Sequence, residues 1–176
     1  MPAYYTYLIS SLPMLNFSAK LPFSLEAFFN KCKDLLPDKE VEILRLACEQ
    51  NNYSSEVLEG NSFKQWVDFE ISLRNELVRA RAARKKTDPL KFLRFPDSPQ
   101  VWISHIAMAA YRSTSILEAE RILDQARWNV LEDLSLGHYF DFDYLLIYGL
   151  KLKILERWEK IQTADKELLL NSVILN

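Results

Sequence analysis

The sequence predicts an all-α protein, a multi-helix bundle of about seven to nine helices with a long C-terminal core helix. Three observations carry that expectation. Only three glycines occur, Gly60, Gly137 and Gly149, too few for the turns of hairpin-rich or sandwich folds. All seven prolines lie in the first 99 residues, leaving 77 proline-free residues behind them, the condition for long helices. Finally, within 141–161, DFDYLLIYGLKLKILERWEKI, apolar residues recur at the helical period. Tyr144, Ile147, Leu150, Ile154, Leu155, Trp158 and Ile161 fall on one broad side, and Gly149, Lys153, Glu156 and Lys160 fall opposite. An arc that wide needs several covering neighbours. Lys151 lies inside it, so its stem must run out to water or its ammonium must meet a carboxylate.

The elements follow in order. Tyr5, Tyr7 and Ile9 alternate as a strand would, while Tyr4 and Leu8 keep helical spacing; a short helix over 3–11 ended by Pro13 is preferred. Ser24 caps a helix over 25–35 with Leu25, Phe28, Phe29 and Cys32 inward. Pro37 and Asp38 restart the chain into a helix over 39–51, inner face Val41, Ile43, Leu44, Ala47 and Cys48. A turn over 55–59 closes at Gly60. Ser62 and Gln65 form a capping box for a helix over 63–86, with Phe63, Trp66, Phe69, Leu73, Leu77 and Ala80 on one face. Glu70 and Arg74 have the spacing and order of a stabilising pair. The stretch 87–97, bracketed by Pro89 and Pro96, is the clearest break, after which Ser98 and Pro99 open another helix. The run VWISHIAMAAY over 101–111 reads as a buried core helix, too short to span a bilayer. Ser115 and Glu118 form a second capping box for a helix through 131, with the stripe Ile116, Ala119, Ile122, Leu123, Ala126 and Val130. Gly137 stops the chain, Asp141 caps the long helix, and a last short helix starts at Asp165. The whole chain, 1–176, is expected to form one helical domain, with two lobes joined by the loop 87–97 as the alternative.

With 49% apolar and 26% charged residues and a net charge of −2, the composition is that of a soluble globular protein. No global field recruits nucleic acid or anionic lipid. The first 19 residues carry no charged side chain, yet Ser10, Ser11, Pro13, Asn16 and the early tyrosines break the apolar run a signal peptide needs. Without such a leader, Cys32 and Cys48 read as buried reduced thiols of a cytoplasmic protein, with a disulfide across two helices as the alternative.

Chemistry is hard to assemble from these residues. The two histidines are His105 and His138; the first reads as a satisfied core residue, the second as a loop residue near a helix end. No Cys/His quartet or Glu-x-x-His pair suggests a metal, and Asp141 with Asp143 is explained by a helix start. Three scattered glycines cannot build a phosphate loop, and no nucleophile elbow occurs. The expectation is therefore a non-enzyme without cofactor or metal.

Two stretches suggest partners instead. Arg79, Arg81, Arg84, Lys85, Lys86, Lys91 and Arg94 run with only Asp88 as counter-charge. They read as a docking patch for an acidic surface or as a solvated helix end. A protein partner is preferred to nucleic acid because no aromatic–basic interleaving accompanies the run. Tyr4, Tyr5 and Tyr7 form the other candidate contact surface, core packing being the plainer reading of the same rings.

Three segments together resemble a known family: Tyr5-Thr-Tyr7-Leu8-Ile9 before Leu12 and Pro13; Trp66 through Arg84 with its Leu-Arg-Asn and Arg-Ala-Arg steps; and Leu117-Glu118-Ala119-Glu120, Asp124 through Trp128, then Phe140 to Arg157 with Tyr148, Lys151 and Glu156. This pattern resembles a bacterial family of uncharacterised proteins encoded among V-type ATPase genes. More distantly it is similar to the C-type stalk component (d-type in eukaryotic usage) of V/A-type rotary ATPases. The resemblance implies an all-helical, non-catalytic component at the rotor or central stalk, cytoplasmic and peripheral to the membrane through that complex, with other ATPase subunits as partners. The chain is about half the usual length of that stalk component, so its complete three-lobed funnel is not implied. A helical regulatory protein-binding module unrelated to ATPases is the alternative.

Overall fold

A computed structural model describes residues 4–49, 61–94 and 100–174, with side chains placed for all of these but Asn61 and 165–174. The protein is all-α. Seven α-helices run in order: α1 Tyr5–Ser11, α2 Leu25–Lys33, α3 Asp38–Glu49, α4 Asn61–Lys85, α5 Val101–Arg112, α6 Ile116–Leu134 and α7 Phe142–Ile174, with a 3-10 turn at Pro89–Lys91 and no strand among the described residues. The expected turn at 55–59 and the Ser98–Pro99 helix start lie outside them. The chain divides into two compact units, Met1–Tyr53 with Ser135–Asn176 and Ser54–Leu134, so the proline-bracketed stretch 87–97 lies inside the second.

In the first unit α2 and α3 pack on α7. The Ser24 hydroxyl caps α2 by accepting the Ala27 amide at 3.2 Å, and Asp141 caps α7 by accepting the Tyr144 amide at 2.9 Å. Phe28, Phe29 and Cys32 of α2, Leu44 and Cys48 of α3, and Leu145, Leu146 and Leu152 of α7 form the core, each large side chain worth about 1.5–3 kcal/mol of apolar burial. Both thiols are free and buried, and burial pushes each up to about 12. Tyr148 hydroxyl donates to the Pro13 carbonyl at 3.0 Å, and the Leu25 amide reaches Glu156 at 3.4 Å. Two residues of α7 thereby tie down the N-terminal strip of chain.

Helix α7 departs from the sequence reading in three ways. Every residue from Leu145 to Leu150 is buried, so this stretch of the helix is covered all round rather than on one arc. Gly149, expected on the outer side, faces inward: a Cβ there would lie 2.9 Å from Cys48 Sγ and 3.2 Å from Phe28 Cε1. And no separate helix begins at Asp165, because the helix runs on unbroken to Ile174, nothing between 150 and 174 being a glycine or proline that would stop it.

In the second unit α4 packs on α5 and α6, and α5 on α6, around Phe63, Trp66, Phe69, Leu73, Ile103, Leu123, Trp128 and Leu131. Ser62 is buried inside the first turn of α4 rather than preceding the helix. Helix α5 buries only Ile103, Ala107 and Ala110, while Val101 and Trp102 stand 72% and 48% exposed. The largely apolar run is therefore one-sided, and His105, expected in the core, is exposed. Ile116 likewise leaves its expected stripe, exposed at the start of α6. Ser115 caps that helix through the Glu118 amide at 3.4 Å, but Glu118 accepts from the Ser113 hydroxyl at 2.9 Å.

Charges inside this unit are paired. Glu70, expected to meet Arg74, instead accepts Arg127 Nε at 2.7 Å, and Arg127 Nη1 donates to buried Asp124 at 2.8 Å. Between its two carboxylates Arg127 is held as a cation above its ordinary pKa, although burial opposes the charge. Glu76 takes Arg79 on one oxygen and the Ser104 hydroxyl on the other at 2.6 Å.

Candidate partner-binding surfaces

The first surface is built by α1 and the residues ahead of α7. On α1, Leu8 and Ile9 turn inward, which leaves Tyr4 and Tyr7 outside, 54% and 69% exposed. They belong to the surface rather than to the core. Tyr5 is half-buried and donates its hydroxyl to Glu40 of α3 at 2.7 Å. Burial first, then the Glu40 hydrogen bond and the charges of Glu40 and Asp141, raise its phenol well above the ordinary tyrosine range, so it stays protonated and donating. A shallow groove of about 530 Å³ is lined by Tyr4, Tyr5, Thr6, Tyr7, Ser10 and Phe140.

Phe140 reaches this groove because Gly137, at φ +89°, turns the chain after α6 in a conformation that suits glycine. Next to it His138 Nδ1 lies 2.6 Å from Asp141 and 3.7 Å from Asp143. The Asp141 hydrogen bond raises the imidazole above its ordinary 6.5, with both carboxylates adding to the shift against a desolvation that opposes it. Sequence reasoning named the tyrosines but missed Thr6, Ser10 and Phe140. Phe140 is remote from α1 in sequence, and no local pattern signals such a meeting.

The second surface is the end of α4. Arg79 is drawn back to Glu76, so it is part of the internal pairing. Arg81 and Lys85 are exposed, and Arg84 reaches the Tyr111 hydroxyl at 3.5 Å. Lys86 follows the helix at φ +52°. The Lys86 amide bonds Ala83 oxygen at 3.4 Å and the Thr87 amide bonds Ala82 oxygen at 3.1 Å, the paired closure usually made with glycine at that position. Lys91 and Arg94 are exposed; the Arg94 backbone is clamped by the buried Asn75 amide, which accepts its N–H at 3.0 Å and donates to its carbonyl at 2.8 Å. The basic residues and the tyrosines thus belong to different units.

No group of three or more His, Cys, Asp or Glu suited to holding a metal ion occurs among the described residues, and none of their helices is long and apolar enough to cross a membrane. Residues 106–174 match a family model described as a protein of unknown function, DUF2764. The match takes in the last seven residues of α5, all of α6 and all of α7, and so includes Phe140, Tyr148, Lys151 and Glu156. This C-terminal part of the chain is similar to an uncharacterised family. No curated protein and no solved structure matches the chain.

Proposed function

We propose that this is a non-catalytic, helical protein-binding component or accessory of a V-type rotary ATPase, acting at the rotor or central stalk. The observation that carries the binding part is the exposure of Tyr4, Tyr7 and Phe140 around one groove, since tyrosine and phenylalanine are enriched at protein interfaces. Lys86 adds to it. Its exposed ammonium stands at the end of α4, at a φ of +52° that glycine adopts more easily. The ATPase part rests on the resemblance of the three segments described above, among them the stretch from Phe140 to Arg157. In this reading the protein is cytoplasmic and reaches the membrane only through its complex.

Affinity purification from the native membrane fraction tests the proposal. Rotor or stalk subunits are expected to be recovered with the protein. Recovery of other partners without any ATPase subunit, under conditions that preserve that complex, would instead identify a regulatory binding module. The joint variant Arg81→Gln, Arg84→Gln, Lys85→Gln is expected to lose partner while melting as the parent does; unchanged recovery would leave the helix end as solubilising surface.

A further inference from the structure

We propose that the groove formed by α1 and Phe140 binds a lysine- and arginine-bearing segment of a partner protein. The inference rests on the protein-binding reading above and names the chemistry of one of its partners.

The groove offers three exposed rings, Tyr4, Tyr7 and Phe140, whose faces attract an ammonium or guanidinium. Its volume of about 530 Å³ accommodates a long side chain with part of its neighbours. Phenols and a phenyl ring would accept many apolar segments; the surrounding charge selects among them. Glu40 does not line the groove but adjoins it through its 2.7 Å contact with the Tyr5 hydroxyl. Tyr5 donates there and cannot neutralise the carboxylate. Asp141 and Asp143 follow Phe140 closely in the chain, and Asp141 is close enough to Tyr5 to act on its ionisation. Among the described residues, the cation that meets these two carboxylates is His138, at 2.6 and 3.7 Å. One imidazole against three carboxylates leaves an excess of negative charge beside the groove. An acidic segment, a phosphate-bearing ligand or an anionic lipid surface is repelled, whereas a basic segment gains attraction and register.

The test uses the full chain and a fluorescein-labelled peptide in which lysine and arginine alternate with glycine, compared with the same peptide carrying glutamate. Fluorescence anisotropy is expected to show saturable binding of the basic peptide and none of the acidic one. Tyr7→Ala should weaken binding roughly two- to fivefold, the size of one exposed cation–ring contact. The double variant Glu40→Gln, Asp143→Asn should weaken it further. Glutamine still accepts from Tyr5, so circular dichroism melts should stay close to the parent's. Equal binding of the two peptides, or unchanged affinity in variants that melt normally, overturns the proposal. Concentration-dependent self-association of the chain, abolished by Glu40→Gln, would make a second copy the occupant and also overturn it. If native partners are recovered by the parent chain while the peptide fails to bind, this inference fails and the protein-binding reading stands. If the basic peptide binds and native partners are recovered without any ATPase subunit, the ATPase reading fails and this inference stands.

Discussion

Two backbone positions show how single residues settle local questions that composition leaves open. In an exposed helix Gly→Ala adds stability, by about 0.8–1 kcal/mol. At Gly149 the opposite is expected, because the added methyl would meet Cys48 Sγ at 2.9 Å and Phe28 at 3.2 Å, both fully buried. Overpacking of that kind costs about 1–3 kcal/mol, read as a lowered urea midpoint for Gly149→Ala. Adding Cys48→Ala should recover more than the two single changes would sum to; a neutral Gly149→Ala would mean that helix propensity outweighs the packing. Lys86 is the mirror case. Its φ of +52° is disfavoured for a side chain, so Lys86→Gly is expected to gain about 1 kcal/mol and raise the melting temperature by about 2–4 °C. His138 gives a pH signature. Its folded pKa is raised by the Asp141 hydrogen bond, so its stabilisation is full below the unfolded value of 6.5 and disappears as pH rises through the folded one. Paired melts should show His138→Gln destabilised in mildly acidic buffer and indistinguishable from the parent in alkaline buffer. A gap that widens with pH would refute the assignment.

At the scale of elements, periodicity made the helices legible. The inward faces of α2 and α3 read correctly from Phe28, Phe29, Cys32, Leu44 and Cys48 because each of those helices has one buried side and one wet one. The same logic misread α5 and α7 for opposite reasons. An apolar run such as 101–111 carries no contrast between faces, so nothing local reveals that Val101 and Trp102 point outward. In α7 the covered surface exceeds any single stripe, and Gly149 has no side chain to show which way it faces. Charge partners were equally hidden. Local spacing offered Arg74 to Glu70, whereas packing α6 against α4 brought Arg127, 57 positions away. That choice is testable: Arg127→Met would leave Glu70 and Asp124, both largely buried, without their shared cation. Removal of one member of such a buried set typically costs about 3–5 kcal/mol. A substitution that proves silent in urea unfolding would show that the network is solvated and dispensable.

For the whole molecule, the decisive fact is that one compact unit is discontinuous in sequence. Met1–Tyr53 and Ser135–Asn176 form it together, and Ser54–Leu134 forms the other. The candidate groove was only half legible for that reason: α1 announces its tyrosines locally, but Phe140, His138 and Asp141 come from the far side of the other unit's sequence. The same arrangement makes the two ends of the chain interdependent for folding. Residues 1–53 bury Phe28 and Cys48 against Gly149 of α7, so on their own they lack the surface that covers their core. The segment 54–134 contains α4, α5 and α6 with their mutual packing and its own Glu70–Arg127–Asp124 pairing. Its core includes Phe63, Trp66, Phe69, Ile103 and Leu131, and domains of its size can fold alone. Expressed separately, 54–134 is therefore expected to melt cooperatively with helical circular dichroism, and 1–53 to show no cooperative transition. Should 1–53 melt sharply alone, or 54–134 lose its helicity gradually, the partition of the core would be wrong, and with it the argument that α7 is the element on which the first unit assembles.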